Sequence, residues 1–228
     1  MKRVAGRFWT ATSLTVALWL AHAAPAWAGA QAEEPLADAV RTALSAAVAQ
    51  SAPPVPVFAD ANQRDRFERW AQTASDRLRK KHADDMMRRE FLQTVWYEAT
   101  RAGLDPSLVL GLIEVESGFR KYAISGVGAR GYMQVMPFWS RLIGDGDPSR
   151  LFHMQTNLRF GCIILRHYLD RERGDLFLAL GRYNGSRGRA EYPNAVFGAW
   201  RKWKVPNDNG VRLATSGEDR PAGGGITR

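Results

Sequence analysis

Among the side chains of this 228-residue sequence that could perform acid–base chemistry, Glu116 holds the most informative position. The run Asp105-Pro106-Ser107-Leu108-Val109-Leu110-Gly111-Leu112-Ile113-Glu114-Val115-Glu116-Ser117-Gly118-Phe119 reads as a helix with a marked start. Asp105 can accept hydrogen bonds from the first free N–H groups, and Pro106 suits the first helical position, where no N–H is required. On that helix Val109, Leu112, Ile113 and Glu116 fall at i, i+3, i+4 and i+7, so Glu116 continues an apolar stripe while Glu114 points away from it. A carboxyl held among apolar side chains resists ionisation, which raises its pKa toward the value a general acid needs near neutral pH. The competing reading places Glu116 in a fraying last turn stopped by Gly118, with its carboxyl in water.

Other chemistries find less support. Gly126-Val127-Gly128-Ala129-Arg130-Gly131 matches G-x-G-x-x-G, but that fingerprint needs a strand before it and a long helix after it. Here a helix ends just upstream and Pro137 follows six residues downstream. His22, His82, His153 and His167 show no paired spacing and Cys162 is the single cysteine, so no metal or other cofactor is predicted and an intramolecular disulfide is excluded. Cys162 lies in the run Phe160, Ile163, Ile164, Leu165 and reads as core. No G-x-S-x-G elbow is present. The chemistry rests on a carboxyl.

The elements that must position it are helices. Phe67, Trp70, Ala71, Ala74 and Leu78 outline one amphipathic helix, and Leu92, Val95, Trp96 and Ala99 a second that Gly103 can end in a left-handed conformation. The Glu116 helix follows at once. A further helix runs from Asn157 to about Arg171 and ends near Gly174. Asp175 caps the next, which stops at Asn184-Gly185, and Val196, Trp200 and Trp203 mark a last one. Strand patterns are nearly absent, so the fold class is mainly α with little or no sheet.

Glu116-Ser117, then Gly131-Tyr132-Met133-Gln134-Val135-Met136-Pro137, then Asn157-Leu158-Arg159-Phe160-Gly161 with Tyr168-Leu169, then Tyr183-Asn184, resemble in order the motifs of the soluble lytic transglycosylase family of the lysozyme superfamily, whose members cut bacterial peptidoglycan. The likeness runs over roughly residues 91–203, about half of the chain. It implies a lysozyme-like helical domain and cleavage of the β-1,4 bond between N-acetylmuramic acid and N-acetylglucosamine, with 1,6-anhydromuramyl ends. By this resemblance Glu116 is acid and then base, Ser117 helps position the glutamate or the N-acetyl group, Met133 and Gln134 line the cleft, and Tyr183 and Asn184 close its other side, with Tyr183 placed to hydrogen-bond the glutamate. Two departures bear on the cleft wall: Tyr132 stands where the family usually has Leu, and Arg182-Tyr183-Asn184-Gly185-Ser186 stands where it usually has Ala-Tyr-Asn-Ala-Gly. Most glycosidases use two carboxyls, and none of the motif blocks supplies a second. Asp145, Asp147, Asp170 and Glu191 are the acids that folding could bring in. A goose-type-like muramidase using water, and a non-catalytic peptidoglycan-binding component of an envelope-spanning machine, are the alternative functions; the latter should have lost Glu116.

Residues 1–28 carry Lys2, Arg3 and Arg7, an apolar run through Leu14, Val16, Leu18, Trp19 and Leu20, and Ala26-Trp27-Ala28, the pattern of a cleavable export signal. His22 and Pro25 leave the run short of the ~20 residues a spanning helix needs, so no stable membrane insertion is expected after cleavage. Export implies a periplasmic protein. Loss of those three basic residues takes the formal net charge from +9 to +6. Lysine and arginine alternate with acids over residues 60–90, as on solvated helix faces, so a nucleic-acid partner is not predicted and peptidoglycan glycan strands are the expected one. Residues 29–60 read as an alanine- and proline-rich linker, although Leu36, Val40, Leu44 and Val48 allow a helix with a thin apolar face. Residues 61–204 form the domain, and residues 205–228, poor in apolar side chains, read as a disordered tail.

Overall fold

The computed structural model describes residues 31–49 and 57–205. The export signal, most of the proline-rich stretch and the residues after 205 lie outside the described residues. Among the described residues are eight α-helices, α1 (Asp38–Ala49), α2 (Ala61–Leu78), α3 (Asp85–Arg101), α4 (Pro106–Ser117), α5 (Phe138–Ile143), α6 (Met154–Arg171), α7 (Leu176–Asn184) and α8 (Glu191–Trp203), with a 3₁₀ turn at Pro148–Phe152. β-structure among them is limited to two isolated antiparallel bridges, Ile124 with Arg130 and Arg130 with Val135.

Four of the helix starts carry an aspartate cap. Asp60, Asp84, Asp105 and Asp175 accept from the backbone N–H groups of Gln63, Met87, Ser107 and Leu178 at 2.7, 2.7, 2.7 and 2.9 Å, which satisfies donors that no preceding turn can. Helix α3 ends where Gly103 takes φ +65°, and α4 ends where Gly118 takes φ +57°. Trp70, Ala74 and Leu78 of α2 and Phe91, Leu92, Val95 and Ala99 of α3 are buried, so both periodicities face the core as their spacing predicts. Helix α4 is buried on nearly every side, more widely than its stripe suggests. Helix α8 lies directly on it: a Cβ at Gly111 would come within 2.6 Å of the Trp200 backbone nitrogen. A mid-helix glycine here allows two backbones to meet.

Three features depart from the sequence reading. Helix α5 and the 3₁₀ turn are too short for periodicity to reveal them. Arg88, assigned to a solvated face, is buried and donates to Ser75 Oγ and the His82 carbonyl at 2.8 and 2.6 Å. The stretch read as a linker contains α1, whose Leu44 and Val48, with Leu36 before it, pack against the core. Arg101 and Arg159 donate to the carbonyls of Ala47 and Val48 at 3.0 and 3.3 Å. Arg159 also pairs with the buried Glu98 at 3.1 Å, joining α6 to α3. An ion pair removed from water this completely fixes register more than it adds stability.

Candidate active site

Glu116 occupies the last turn of α4 and is 4% exposed, which excludes the fraying alternative. Its Oε1 accepts a 2.5 Å hydrogen bond from the phenol of Tyr192, itself fully buried in the first turns of α8. Its Oε2 is buried with no hydrogen-bonding partner. Burial pushes the carboxyl up to about 8, against the opposing effect of the Tyr192 hydrogen bond. With Oε1 engaged as an acceptor, the proton of the neutral acid belongs on Oε2. Glu114, on the other face, accepts from Trp203 Nε1 at 2.6 Å and from Lys202 Nζ at 3.3 Å. The two glutamates therefore have the different environments that their helical positions predict.

Beside Glu116 runs the loop of residues 131–135. Gly131 adopts φ +75°, and a Cβ there would lie 2.4 Å from Asn157 Nδ2. That closeness lets Asn157 donate to the carbonyls of Arg130 and Leu151, both at 2.8 Å, while accepting from the Met133 N–H at 2.8 Å. Met133 is fully buried against Gly161, whose Cβ would fall 2.3 Å from the Met133 sulfur. Ser117 Oγ donates to the Tyr132 carbonyl at 2.7 Å and Tyr183 Oη to the Met133 carbonyl at 2.7 Å. Gln134, at φ +49°, donates through Nε2 to Gly131 and Ala123 carbonyls at 2.9 and 3.2 Å. Asn184 donates to Ser186 Oγ at 3.0 Å, and its Oδ1 is buried without a partner.

Ser117, Gln134, Asn157 and Tyr183 thus converge on one loop by gripping its backbone, whereas the Asn184 side chain bonds only Ser186. Tyr183 does not hydrogen-bond Glu116: its hydroxyl is spent on the Met133 carbonyl, and Tyr192 takes the place expected of it. Ser117 likewise binds backbone carbonyls rather than the glutamate. Tyr192 was missed, although it lies four residues before Val196 and so continues the apolar stripe of α8. Of the other acids, Asp145 pairs with Arg150 and Asp170 with Arg166, Asp147 caps the 3₁₀ turn through Ser149 at 2.8 Å, and Glu191 is exposed at the start of α8. Among the described residues no group of three or more His, Cys, Asp or Glu could hold a metal ion. Chemically, the arrangement is a neutral carboxylic acid near physiological pH, oriented through one oxygen and free to donate from the other.

Residues 93–205 match the Transglycosylase SLT domain family. The "Membrane-bound lytic murein transglycosylase C" of Actinobacillus pleuropneumoniae serotype 5b (strain L20) is 40% identical over 85 residues, 34% of this chain and 23% of the relative. The "Transglycosylase" of Enterobacteria phage PRD1 is 33% identical over 103 residues, 45% of this chain and 37% of the relative. The chain therefore matches 23–37% of the length of these curated relatives. The X-ray structure of an inactive mutant of the lytic transglycosylase Slt from Pseudomonas aeruginosa aligns over 76% of this chain and 34% of its own, with a TM-score of 0.39 and 22% identity.

Proposed function

Residues 93–205 of this chain are a Transglycosylase SLT domain, and on that premise we propose that the protein is a peptidoglycan lytic transglycosylase with Glu116 as its acid and base. The observation that carries the assignment is the buried Glu116 carboxyl, raised to about 8 and hydrogen-bonded only through Oε1. The Oε2 proton passes to the glycosidic oxygen between N-acetylmuramic acid and N-acetylglucosamine as the C1–O bond breaks, and the muramyl N-acetyl group supports the cation. Glu116, now a carboxylate, takes the proton of the muramyl C6 hydroxyl while that oxygen bonds to C1. A 1,6-anhydro ring forms and the acid is restored. The internal hydroxyl is tethered near C1 and needs little of the ordering a free water would.

Burial and Tyr192 act on different halves of this cycle. Burial keeps the resting carboxyl protonated, and the Tyr192 hydrogen bond supports the anion that exists after proton delivery. Ser117, Gln134 and Tyr183 shape the cleft by fixing the 131–135 loop, Met133 fills the space against Gly161, and Asn184, bonded to Ser186, is assigned to the cleft's other side. Export to the periplasm is proposed from residues 1–28; N-terminal sequencing should find Gly29 first. No described helix is long and apolar enough to cross a membrane.

The test is digestion of purified sacculi with mass analysis of the muropeptides. Muramyl ends lighter by one water than the hydrolysed form are expected. Predominantly reducing ends from fresh enzyme would replace this reading with the water-using muramidase, whose base would have to lie about 6.5–9.5 Å from Glu116 for inversion.

A further inference from the structure

Residues 31–37, just before α1, form an arm whose single buried polar side chain reaches the segment after the motif loop. Gln31 is 4% exposed. Its Oε1 accepts from the indole Nε1–H of Trp139 at 2.9 Å and from the Met136 backbone N–H at 3.4 Å. Its amide nitrogen is buried without a good hydrogen bond, although the side chain lies beside the Tyr183 phenol. Met136 and Trp139 directly follow the 131–135 loop, and Tyr183 is bonded to the Met133 carbonyl. The carboxamide thus sits against the same structure that borders Glu116.

Besides Gln31, the arm is held by Leu36 against the core and by ion pairs. Glu34 pairs with Arg182 at 3.0 Å and with Arg171 at 2.5 Å, and Glu33 with Arg141 at 3.8 Å. Glu33 is 55% exposed and open to water and salt, whereas Glu34 is 33% exposed with its Oε2 buried. Helix α1 beyond the arm contributes no fully buried residue. A polar side chain is buried deeply by an arm that ion pairs and the partly buried Leu36 hold, an arrangement suited to exchange of that side chain for a ligand of the same chemistry.

We propose that Trp139 Nε1–H and the Met136 N–H form an acetamide-recognition site, and that Gln31 fills it in the free protein as an internal competitor of the glycan. The inference rests on the peptidoglycan reading above and extends it to a named group of the substrate. A primary carboxamide and an N-acetyl group offer the same carbonyl acceptor to the same two donors. Substrate entry then requires the arm to leave, and its ion pairs set how readily it does.

The full chain carrying Glu33→Gln and Glu34→Gln together tests this, since neither residue belongs to the catalytic machinery. Each exposed pair shifts the docking equilibrium by up to about fivefold. KM for solubilised glycan strands should fall roughly threefold to tenfold with kcat unchanged, and added salt should lower KM for the parent but not for the double variant. A readout independent of turnover is the Trp139 indole N–H resonance, identified by Trp139→Phe. Adding N-acetylglucosamine oligomers should shift it, at lower concentration in Gln31→Ala than in the parent. An unchanged or raised KM together with an indole signal indifferent to the oligomers would overturn the proposal and leave the arm as a brace. If oligomers compete with Gln31 for the indole but sacculi are not cleaved, the acetamide site stands and the transglycosylase assignment falls.

Discussion

Replacing Glu116 by Gln should stabilise the fold, and by an amount that grows with pH. The carboxyl has an ordinary value of 4.5 in an unfolded chain and about 8 in the folded protein. Between these values the folded state retains a proton that the unfolded state has released. More protons bound to the native form means that stability falls as pH rises. The loss begins near pH 4.5, proceeds at about 1.4 kcal/mol per pH unit and levels off above pH 8. By pH 7 it amounts to about 3 kcal/mol. Gln cannot ionise, keeps the shape of the side chain and still offers Oε1 to Tyr192, so the variant lacks this term. Urea melts of both proteins at pH 5, 6, 7 and 8 measure the difference directly, because all other titrations are common to the pair. With slopes of 1–3 kcal/mol per molar urea, the variant's midpoint at pH 7 should exceed the wild type's by roughly 1–3 M, and the gap should close near pH 4.5. A gap independent of pH would mean that the folded protein hydrates Glu116 as a carboxylate, and the argument for a resting acid would fail with it.

The same Glu116→Gln protein should lose roughly 10²–10⁴-fold in turnover on sacculi while remaining folded by circular dichroism, whereas Glu114→Gln should retain activity, because its amide can still accept from Trp203. Tyr192→Phe removes a hydrogen bond to a charged group worth about 1.5–3 kcal/mol, so the basic limb of the kcat–pH profile should rise by about one to two pH units. Tyr183→Phe should leave that limb in place, and a shift there instead would exchange the roles of the two tyrosines. Gly131→Ala should destabilise by at least about 2 kcal/mol more than Gly128→Ala in urea melts. Both glycines hold positive φ, but only at Gly131 would the new Cβ strike Asn157 and the Leu151 carbonyl; equal losses would deny that Asn157 packs against the loop.

The helices were legible because their causes are local. An aspartate cap, a proline in the first turn and a left-handed glycine at the end delimit α4 within the sequence itself, and the position of Glu116 on the apolar stripe follows from helix geometry alone. The identity of its partner does not. Tyr183 and Tyr192 stand nine residues apart on successive helices, and which phenol reaches the carboxyl depends on how α8 rests on α4. That contact is permitted by Gly111, whose absent side chain admits the Trp200 backbone. A glycine in an apolar helix signals a close approach but not from which element. The resemblance assigns Ser117 and Tyr183 to the glutamate and Gln134 to the cleft, while all three are turned toward backbone carbonyls. Motif letters preserve a requirement without saying whether the requirement is chemical or architectural. The arm at residues 31–37 was read as linker because alanine and proline dominate its surroundings, and one glutamine carries no periodic signal.

A carboxyl that is 4% exposed is well placed to keep its proton but poorly placed to deliver it, so some boundary of the site must open without disturbing the acid. The distribution of bonds indicates which boundaries are fixed. Loop 131–135 is tied by Asn157, Ser117, Gln134 and Tyr183 at 2.7–3.2 Å, and α4 and α8 meet backbone to backbone at Gly111. Moving α8 off α4 would separate Glu116 from Tyr192 and lose the support for the anion, and moving the loop would break its bonds to Ser117, Asn157 and Tyr183. The segment between Gly118 and Arg130 is different. Tyr122, Ile124 and Val127 are 70%, 66% and 55% exposed, whereas Phe119 is buried against Phe91 and Trp203 and the Ala123 carbonyl accepts from the Gly131 N–H and Gln134 Nε2. Residues 124–128, none of them buried, are the part that opens at low free energy. On the proposed reading, the glycan is admitted by displacing residues 124–128 and the arm, while Ala123, the acid, its phenol and the gripped loop stay in register; the rigidity that preserves the proton and the mobility that lets it be used reside in different parts of the same wall.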